Sequence, residues 1–370
     1  MEKMKITHIS GSGKVGGIET HVMALSMAQR KLGHDVSIII AQSAGPVSEM
    51  LAAEGFDVRY ANGTSGHDVM SMLRIRRIIR QINPDIVHLH GFSILSFISL
   101  AGIPFVRVCT IHVLGRIRKS GLVRRFLSFV NNRIVRLYDG FIAVSADVRD
   151  RFLSDGCFTR TPWCVIFNGI DESKFFPDDS LVLPTSADGQ PIELLVVCRM
   201  EADKHPDDAI RVTDILRKKY GMNVRLTLCG DGGILPACKK LTDELGISDF
   251  VTIAGRRNDV NEFMRKSHGL LFLSDYETFG LTPIEAVASG CPVFCYRVSG
   301  GLHEWLKAEG CGGVISAKRT PESLAEVIAT TLSNHELWQK LRNDAIACSS
   351  SFSSLEMAKK TLNYYRSLRG

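Results

Sequence analysis

The feature that most constrains the fold is a repeated alternation of short apolar runs with longer amphipathic stretches, found in both halves of the chain. The apolar runs predict strands at residues 5–10, 36–40, 56–60, 86–90, 104–112, 141–145, 193–199, 224–229 and 251–255. Helical patterns at 67–82, 92–101 and 206–219 separate several of these strands. Strands separated by helices pair in parallel and form doubly wound sheets. The sequence therefore predicts an α/β protein with a parallel sheet in each half.

The length of the chain predicts two domains. Its 370 residues exceed one ordinary hydrophobic core, since domains usually hold about 100 to 200 residues. The segment Asp178–Pro191 is rich in Asp, Ser, Pro and Gly, a composition typical of linkers. We therefore expect one domain over residues 1–180 and a second over 190–350.

Composition predicts a globular cytoplasmic protein. Charged residues make up 23% and hydrophobic residues 45% of the chain, and no apolar run reaches the roughly 20 residues of a membrane-spanning helix. The N-terminus enters a strand pattern at once, without the pattern of a signal peptide. Most of the ten cysteines lie in apolar strand-like runs and none forms a C-x-x-C pair, so we expect reduced, buried thiols.

The positive charge is concentrated in one region. Between Arg74 and Arg136 there are twelve Arg or Lys residues and a single acid, Asp85. Within this region, residues 115–138 predict an amphipathic helix with a cationic outer face. Such a helix either packs on the sheet with a solvated basic face or contacts an anionic membrane surface. A nucleic-acid partner is not expected, because interleaved aromatic residues and a binding module are missing.

A glycine-rich loop follows the first strand. Gly11, Gly13 and Gly16 match G-x-G-x-x-G, but a dinucleotide site also needs an acid after the second strand, and that strand ends in Ala41-Gln42. Without side chains at Gly16 and Gly17, a diphosphate can approach the amides at the following helix start. A plain tight turn remains the alternative.

The stretch from Ser274 to Val293 places two carboxylates around a short predicted helix. Thr282 suits the N-cap and Pro283 the first helical position, and apolar runs at 269–273 and 292–296 flank the unit. This order predicts one βαβ step with Glu277 in the loop and Glu285 inside the helix. Glu285 could instead complete a capping box with Thr282.

Cations and histidines also follow predicted strands, where parallel sheets bind ligands. Arg199 and Lys204 come after the strand at 193–199, and two cations at that position suit a diphosphate. They could also be surface charges ahead of a helix. His90 and His112 close two strands of the first half, although a single such histidine is more often structural.

Together these motifs resemble the retaining GT-B glycosyltransferases of family four. Glu277 and Glu285 with the intervening TFGLTPI are similar to that family's E-x7-E motif. The resemblance spans nearly the whole chain in the family's order, through the motifs Gly16-Gly17-Ile18-Glu19, His112, Asn168-Gly169-Ile170-Asp171, Arg199 with Lys204, and Gly300-Gly301 with Glu304. The chain departs from the pattern at Phe167, where proline is usual, and at Cys198 and His205, which replace glycines.

This resemblance implies a GT-B fold, in which two facing Rossmann-like doubly wound parallel-sheet domains enclose an interdomain cleft. It also implies that the final segment, residues 351–370, crosses back to the N-terminal domain. The N-terminal domain is expected to bind the acceptor and the C-terminal domain the nucleotide sugar. The implied activity moves a sugar from a UDP- or GDP-sugar to a hydroxyl, without a cofactor, in cell-surface polysaccharide or glycolipid synthesis.

The resemblance also assigns roles to individual residues. It implies that Glu277 binds sugar hydroxyls, Glu285 the ribose, and His112 the transferred sugar and donor phosphate. No D-x-D metal-binding motif is present, so cations and backbone amides are expected to neutralise the leaving diphosphate. The expected catalytic residues are His112, Arg199, Lys204 and Glu277. The expected donor-binding residues are Gly16, Gly17, Arg199, Lys204, Glu277, Phe279, Gly280, Leu281, Thr282 and Glu285.

Three other functions remain open at this point. Glu277 and Glu285 could be the acid and nucleophile of a glycosidase, which requires carboxyl groups about 5 to 9.5 Å apart. The chain could be a nucleotide-sugar sensor or scaffold without turnover. A dinucleotide oxidoreductase is disfavoured by the missing ribose acid. The acceptor could be lipid-linked or a free saccharide, and the basic region favours a position at the inner membrane surface.

Overall fold

The structure, a computed structural model, consists of two compact units. The first comprises Met1–Gly169 with Ser353–Gly370, and the second comprises Ile170–Phe352. The structure describes residues 2–64, 68–91, 100, 102–112, 125–126, 128–130, 137–154, 156, 158–185, 188–297, 299–306 and 310–369. The predicted helix at 92–101, except residue 100, and most of the basic segment 115–138 lie outside these residues.

The first unit is built on a seven-stranded sheet in the order β3-β2-β1-β4-β5-β6-β7, and every neighbouring pair is parallel. Its strands are β1 (Lys5–Ser10), β2 (Asp35–Ile40), β3 (Asp57–Tyr60), β4 (Ile86–His90), β5 (Val106–Ile111), β6 (Gly140–Ala143) and β7 (Trp163–Val165). Its described helices are α1 (Gly17–Lys31), α2 (Pro46–Ala53), α3 (Val69–Ile82) and α4 (Ala146–Leu153). The strand order reverses between β1 and β4, which is where such sheets bind ligands.

The second unit repeats this plan with a six-stranded parallel sheet in the order β10-β9-β8-β11-β13-β15. The strands are β8 (Ile192–Val197), β9 (Val224–Cys229), β10 (Val251–Gly255), β11 (Gly269–Phe272), β13 (Val293–Cys295) and β15 (Gly313–Ile315). Two short strands, β12 (Tyr276–Glu277) and β14 (Ser299–Gly300), pair separately. Its order reverses between β8 and β11. The predicted βαβ step is confirmed, because β11 pairs in parallel with β13.

Seven helices belong to the described part of the second unit. They are α5 (Pro206–Lys218), α6 (Leu235–Leu245), α7 (Val260–Lys266), α8 (Leu281–Ala288), α9 (Leu302–Leu306), α10 (Pro321–Leu332) and α11 (His335–Ser349). Helix α5 shows how the sequence sets these elements. Pro206 opens it, acids follow in its first turn and Arg217 and Lys218 end it, in agreement with the helix dipole. Its apolar face, including Ile210 and Leu216, is fully buried.

The last helix, α12 (Ser354–Arg369), packs against α1 within the first unit. Its apolar residues Met357, Leu362 and Tyr365 are buried with the sheet residues Ile6 and Ile86. The first unit ends at Gly169, whereas the sequence places the first domain over residues 1–180. The difference arises because the backbone N–H of Ile170 already donates to the carbonyl of Phe352, a residue of the second unit.

Cysteine pairing differs in one place from the expectation of reduced thiols. Cys311 and Cys348 form a disulfide, with Cα atoms 5.1 Å apart, so that expectation is wrong for this pair. The two residues are 37 positions apart in sequence, and their spacing alone gives no sign of pairing. Seven other described cysteines are free, and five of these are buried.

Candidate active site

Two loops of the second unit meet where the strand order of its sheet reverses. One follows β8 and carries Arg199 and Lys204, and the other follows β11 and carries Glu277. The Lys204 ammonium lies 3.6 Å from a Glu277 carboxylate oxygen, and the two side chains are only 14% and 25% exposed. Arg199 is exposed on the same loop. The structure therefore brings together a cation suited to phosphate and a carboxylate suited to sugar hydroxyls.

Further bonds hold these two loops together. The backbone N–H of Asp275 donates to the carbonyl of Asp203 (3.0 Å). The His205 ring nitrogen Nε2 lies 2.9 Å from the carboxylate of Asp275, which also pairs with Arg319. These contacts limit how far Lys204 and Glu277 can move apart. They constitute a preorganised arrangement of the kind that lowers the reorganisation cost of catalysis.

His205 occupies a loop position where the family pattern described above has glycine. Its backbone is left-handed, with φ 50° and ψ 47°, a conformation that glycine normally supplies. Such a conformation is strained for a side-chain-bearing residue. The hydrogen bond to Asp275 keeps the imidazole in place. This contact therefore stabilises a turn that the sequence alone left uncertain.

A third segment fixes the backbone around Glu277. The carbonyl of Glu277 accepts a hydrogen bond from the N–H of Gly301 (2.9 Å), and β12 pairs with β14 beside it. Gly300 has φ 112°, and a Cβ there would lie 2.0 Å from the carbonyl oxygen of Glu277. Glycine is required at position 300 because the two backbones approach so closely there. The hydrogen bond from Gly301 then fixes the backbone of Glu277.

The helix carrying Glu285 begins earlier than predicted. Gly280 is its N-cap with φ 92°, and α8 starts at Leu281, so the prediction that Thr282 caps this helix is wrong. The left-handed conformation that Gly280 permits allows the turn to begin there. Glu285 consequently lies in the fifth helical position and not in a capping box. The backbone amides of Leu281 and Thr282 have no acceptor among the described residues, as expected for a first helical turn.

Phe279 and Glu285 lie on either side of this helix start. Phe279 is buried, and its carbonyl accepts a hydrogen bond from the indole nitrogen of Trp305 (3.1 Å). Glu285 retains some exposed surface, but burial raises its pKa to about 7, and the positive charge of Lys174 opposes part of that rise. A carboxylate with such a pKa titrates near neutral pH. A group that hydrogen-bonds to this carboxylate therefore changes its protonation state near neutral pH.

The glycine-rich loop of the first unit has two distinct parts. A Cβ on Gly13 would lie 2.3 Å from the hydroxyl of Ser48, so this glycine serves packing. Gly16 is the N-cap of α1, and no side chain caps it. The amides of Gly17 and the next two residues have no acceptor among the described residues. This arrangement is suited to an anion, because an uncapped helix start presents free N–H groups and a positive dipole.

His112 follows β5 and belongs to a row of buried imidazoles. Its Nε2 lies 3.1 Å from Nδ1 of His90, and Nε2 of His90 lies 2.9 Å from Nδ1 of His8. The row ends at Gln29, whose Oε1 lies 2.7 Å from Nε2 of His8. Burial and neighbouring imidazoles lower the pKa of His90, and burial followed by His21 lowers that of His112. These rings are therefore neutral at pH 7.

The hydrogen bonds assign a proton position to each neutral ring. With Oε1 of Gln29 as acceptor, His8 carries its proton on Nε2 and accepts on Nδ1. His90 must then donate from Nε2, and His112 donates from Nε2 to the free Nδ1 of His90. A ring's tautomer is set by the bond its other nitrogen makes. His90 thereby orients His112.

The sequence did not reveal most of this row. His8 and Gln29 had no assigned role, and neither had His88, whose ring nitrogens contact Tyr365 (2.5 Å) and Thr110 (2.6 Å). One signal was available, because His88 and His90 lie two residues apart and therefore on the same face of β4. The contact with Tyr365 spans 277 positions of the chain. No local pattern predicts such a distance.

Comparisons with known proteins agree with this architecture. Residues 15–174 match the profile of "Glycosyltransferase Family 4", and residues 184–347 match that of "Glycosyl transferases group 1". A glycogen synthase of Mycobacterium tuberculosis is 28% identical over 86% of this chain and 83% of its own. The GDP-mannose-dependent alpha-(1-6)-phosphatidylinositol dimannoside mannosyltransferase of the same species is 24% identical over 87% and 85%. The crystal structure of Anabaena Alr3699/HepE in complex with UDP has a TM-score of 0.80 at 19% identity, over 98% of this chain and all of that one.

Proposed function

Since the chain belongs to the GT-B glycosyltransferases of group 1 and family four, we propose that it moves a hexose from a UDP- or GDP-sugar to an acceptor hydroxyl with retention of configuration. The observation that carries this proposal is the pairing of Lys204 with Glu277 beside the uncapped start of α8. A cation and free amides suit a diphosphate, and a neighbouring carboxylate suits sugar hydroxyls. Both are supplied by one unit of the protein.

The proposed chemistry requires no protein nucleophile. The bond between the anomeric carbon and the diphosphate oxygen breaks, and a bond from that carbon to the acceptor oxygen forms on the same face. The acceptor proton passes to the departing phosphate. Arg199, Lys204 and the amides of residues 279–282 stabilise the charge that develops on the diphosphate, without a metal ion. Removing one such donor typically costs about 10² to 10³ in rate.

The remaining donor contacts follow the same reasoning. We assign the ribose hydroxyls to Glu285 and the sugar hydroxyls to Glu277, because each presents a carboxylate on a rigid segment. In the first unit, we assign an anion-binding role to the amides at Gly16 and Gly17 and a sugar contact to His112. His90 acts on His112 as a positioning residue, through the hydrogen bond between the two rings.

Donor binding provides the direct test. We expect calorimetric titration in the presence of EDTA to show selective binding of either UDP or GDP, with no binding of NAD. EDTA tests whether protein cations suffice for the diphosphate. Binding that requires added Mg²⁺, or binding of neither nucleotide, would contradict the proposed donor site. Turnover of the matching nucleotide sugar with a lipid extract or oligosaccharides then identifies the class of acceptor.

A membrane-associated acceptor is favoured by the outer face of α3. Val69, Met70 and Leu73 are 61%, 58% and 55% exposed, and the exposed Arg77 and Arg80 lie on the same face within an arc of about 100°. Exposed apolar side chains beside arginines suit the interface of an anionic bilayer. Arg74 is used differently, since it donates to the carbonyls of Ala61 and Asn62. Among the described residues, no helix has the length and apolarity needed to cross a bilayer.

We therefore propose peripheral binding at the inner membrane surface, with a role in glycolipid or cell-surface polysaccharide synthesis. The mannosyltransferase relative, which is named for a phosphatidylinositol dimannoside, supports this choice. The name of the glycogen synthase relative supports a saccharide acceptor. A lipid-linked saccharide satisfies both observations.

Replacing Arg77 and Arg80 together by glutamine should weaken binding to anionic vesicles about 30-fold. Each basic residue near such a surface contributes about 1 kcal/mol, so two account for that loss. Vesicle sedimentation at low salt, with phosphatidylserine and with phosphatidylcholine alone, measures it. The control is the Arg211→Gln, Arg225→Gln pair, which makes the same charge change at exposed positions of the second unit. Equal losses in both variants would attribute binding to net charge and contradict a specific surface.

A further inference from the structure

Three buried histidines of the first unit converge on one point. Each of His21, His90 and His112 offers a ring nitrogen, and these atoms all lie within 4.8 Å of one another. The side chains are only 4% to 6% exposed. They come from three different elements, α1, β4 and the end of β5. The sheet and its first helix therefore hold the cluster rigidly.

His21 is the unusual member of the cluster. Asn168 lies close enough to hydrogen-bond to one ring nitrogen of His21, although neither side chain has a partner of good geometry among the described residues. The other ring nitrogen of His21 is buried without a partner among these residues. Buried polar groups are nearly always paired, and leaving them unpaired destabilises a protein. This nitrogen, beside ring nitrogens of His90 and His112, points to a ligand.

We propose that His21, His90 and His112 form a binding site for a transition-metal dication of the Zn²⁺ class. Zn²⁺ binds three imidazole nitrogens readily and takes water or an anion in its fourth position. Mg²⁺ and Ca²⁺ prefer oxygen ligands, and none of the three side chains supplies one. The donor set therefore selects against the ions that usually accompany nucleotides.

Outer contacts are also in place for such a site. A histidine that binds a metal through one nitrogen usually donates a hydrogen bond from the other, and this bond fixes the ring. His90 faces the cluster with Nδ1, and its Nε2 contacts His8 (2.9 Å), which in turn contacts Gln29 (2.7 Å). Asn168 lies where it can accept from the second nitrogen of His21. Two of the three ligands thus have an outer partner.

A second trio, His8, His88 and His90, meets the same distance criterion but is less suited to a metal ion. Both ring nitrogens of His88 already have partners, the hydroxyls of Tyr365 and Thr110. Both nitrogens of His8 are likewise occupied, by His90 and Gln29. A metal ion bound through one nitrogen of each ring would displace a hydrogen bond of His88 and a hydrogen bond of His8. The cluster around His21 requires the loss of one, between His90 and His112.

Metal binding at this cluster does not depend on the proposed transfer reaction. If His112 also contacts the transferred sugar, an ion bound to its Nε2 fixes the ring and opposes turnover. Zn²⁺ would then be an inhibitor and not a cofactor. Binding itself can be measured without any donor or acceptor, so the two proposals succeed or fail separately.

The test is titration of EDTA-treated, dialysed full-length protein with Zn²⁺ and with Co²⁺. We expect one Zn²⁺ per chain by calorimetry, and with Co²⁺ the visible absorption of a tetrahedral site with nitrogen ligands. His21→Gln should lower the affinity at least about 100-fold, and Asn168→Leu about 10-fold. Circular dichroism checks that each variant is folded. If His21→Gln does not fold, Asn168→Leu alone tests the metal affinity.

The matched control is His335→Gln, which removes an exposed histidine of the second unit and should leave the affinity unchanged. Zn²⁺ binding that is equal in the wild type, His21→Gln and Asn168→Leu would overturn the proposal. So would the absence of a tetrahedral Co²⁺ spectrum in the wild-type protein.

Discussion

Replacing Lys204 by alanine should lower kcat by about 10² to 10³. The Lys204 side chain is only 14% exposed and its ammonium group lies 3.6 Å from a carboxylate oxygen of Glu277, so it is held where charge is expected to develop on the leaving diphosphate. In the proposed mechanism, which uses no metal ion, Arg199 and the backbone amides of residues 279–282 supply only part of this charge stabilisation. Steady-state kinetics with the matching nucleotide sugar measures the effect. Lys204→Arg should recover part of the activity, because it keeps the charge but changes its position.

The loss must be separated from a general effect of removing a lysine. Lys240→Ala provides the control, because Lys240 is 78% exposed and pairs with Glu244 at i+4, an arrangement of little energetic weight. That variant should retain wild-type kcat. If Lys204→Ala also keeps full turnover, the electrostatic part of the proposed mechanism is refuted. An unchanged kcat with a raised KM would assign Lys204 to donor binding alone.

The features that local patterns encode could be predicted from sequence. Apolar runs separated by amphipathic stretches predict parallel sheets, and both sheets are present with parallel pairing throughout. Arg199, Lys204 and Glu277 were identified because each follows a strand, and parallel strands that share an edge bring such residues together. The meeting of Lys204 and Glu277 follows from the pairing of β8 with β11.

The features that the sequence did not predict depend on backbone conformation or on contacts between distant residues. Thr282 has the composition of an N-cap, but Gly280 adopts a left-handed backbone that starts the helix two residues earlier. The row from Gln29 through His8 and His90 to His112 joins four elements that no sequence window contains together. The disulfide between Cys311 and Cys348 likewise joins residues 37 positions apart, where Gly312 packs closely against Ala345 in α11.

Glu285, which we propose as the ribose ligand, is a carboxylate whose burial costs stability. Its pKa is raised from 4.5 to about 7, first by burial. Between these two values the folded protein keeps the proton and the unfolded chain loses it, so the free energy of unfolding falls as the pH rises. Above pH 7 this penalty amounts to at most about 3 kcal/mol. A glutamine at position 285 is neutral at all pH values and therefore avoids this loss of stability.

Glu285→Gln should therefore stabilise the protein above about pH 7 and weaken donor binding. We expect a gain of up to about 3 kcal/mol in the free energy of unfolding near pH 8, shrinking to zero below pH 4.5, where both side chains are neutral. Nucleotide affinity should fall about 10- to 100-fold near pH 8, because hydrogen bonds from ribose to a charged acceptor are worth about 1.5–3 kcal/mol. In the wild type, affinity should rise as the pH increases through 7.

Urea unfolding and calorimetric titration of UDP and GDP, each near pH 5 and near pH 8, measure both effects on the same samples. Glu326→Gln makes the same chemical change at an exposed position of α10 and should alter neither quantity. A Glu285→Gln protein that gains stability but binds nucleotide normally would leave Glu285 without a role at the donor. One that loses affinity without gaining stability would show that its carboxylate is solvated in the folded protein. Only opposite changes in the two quantities agree with a buried carboxylate held in place for the ribose.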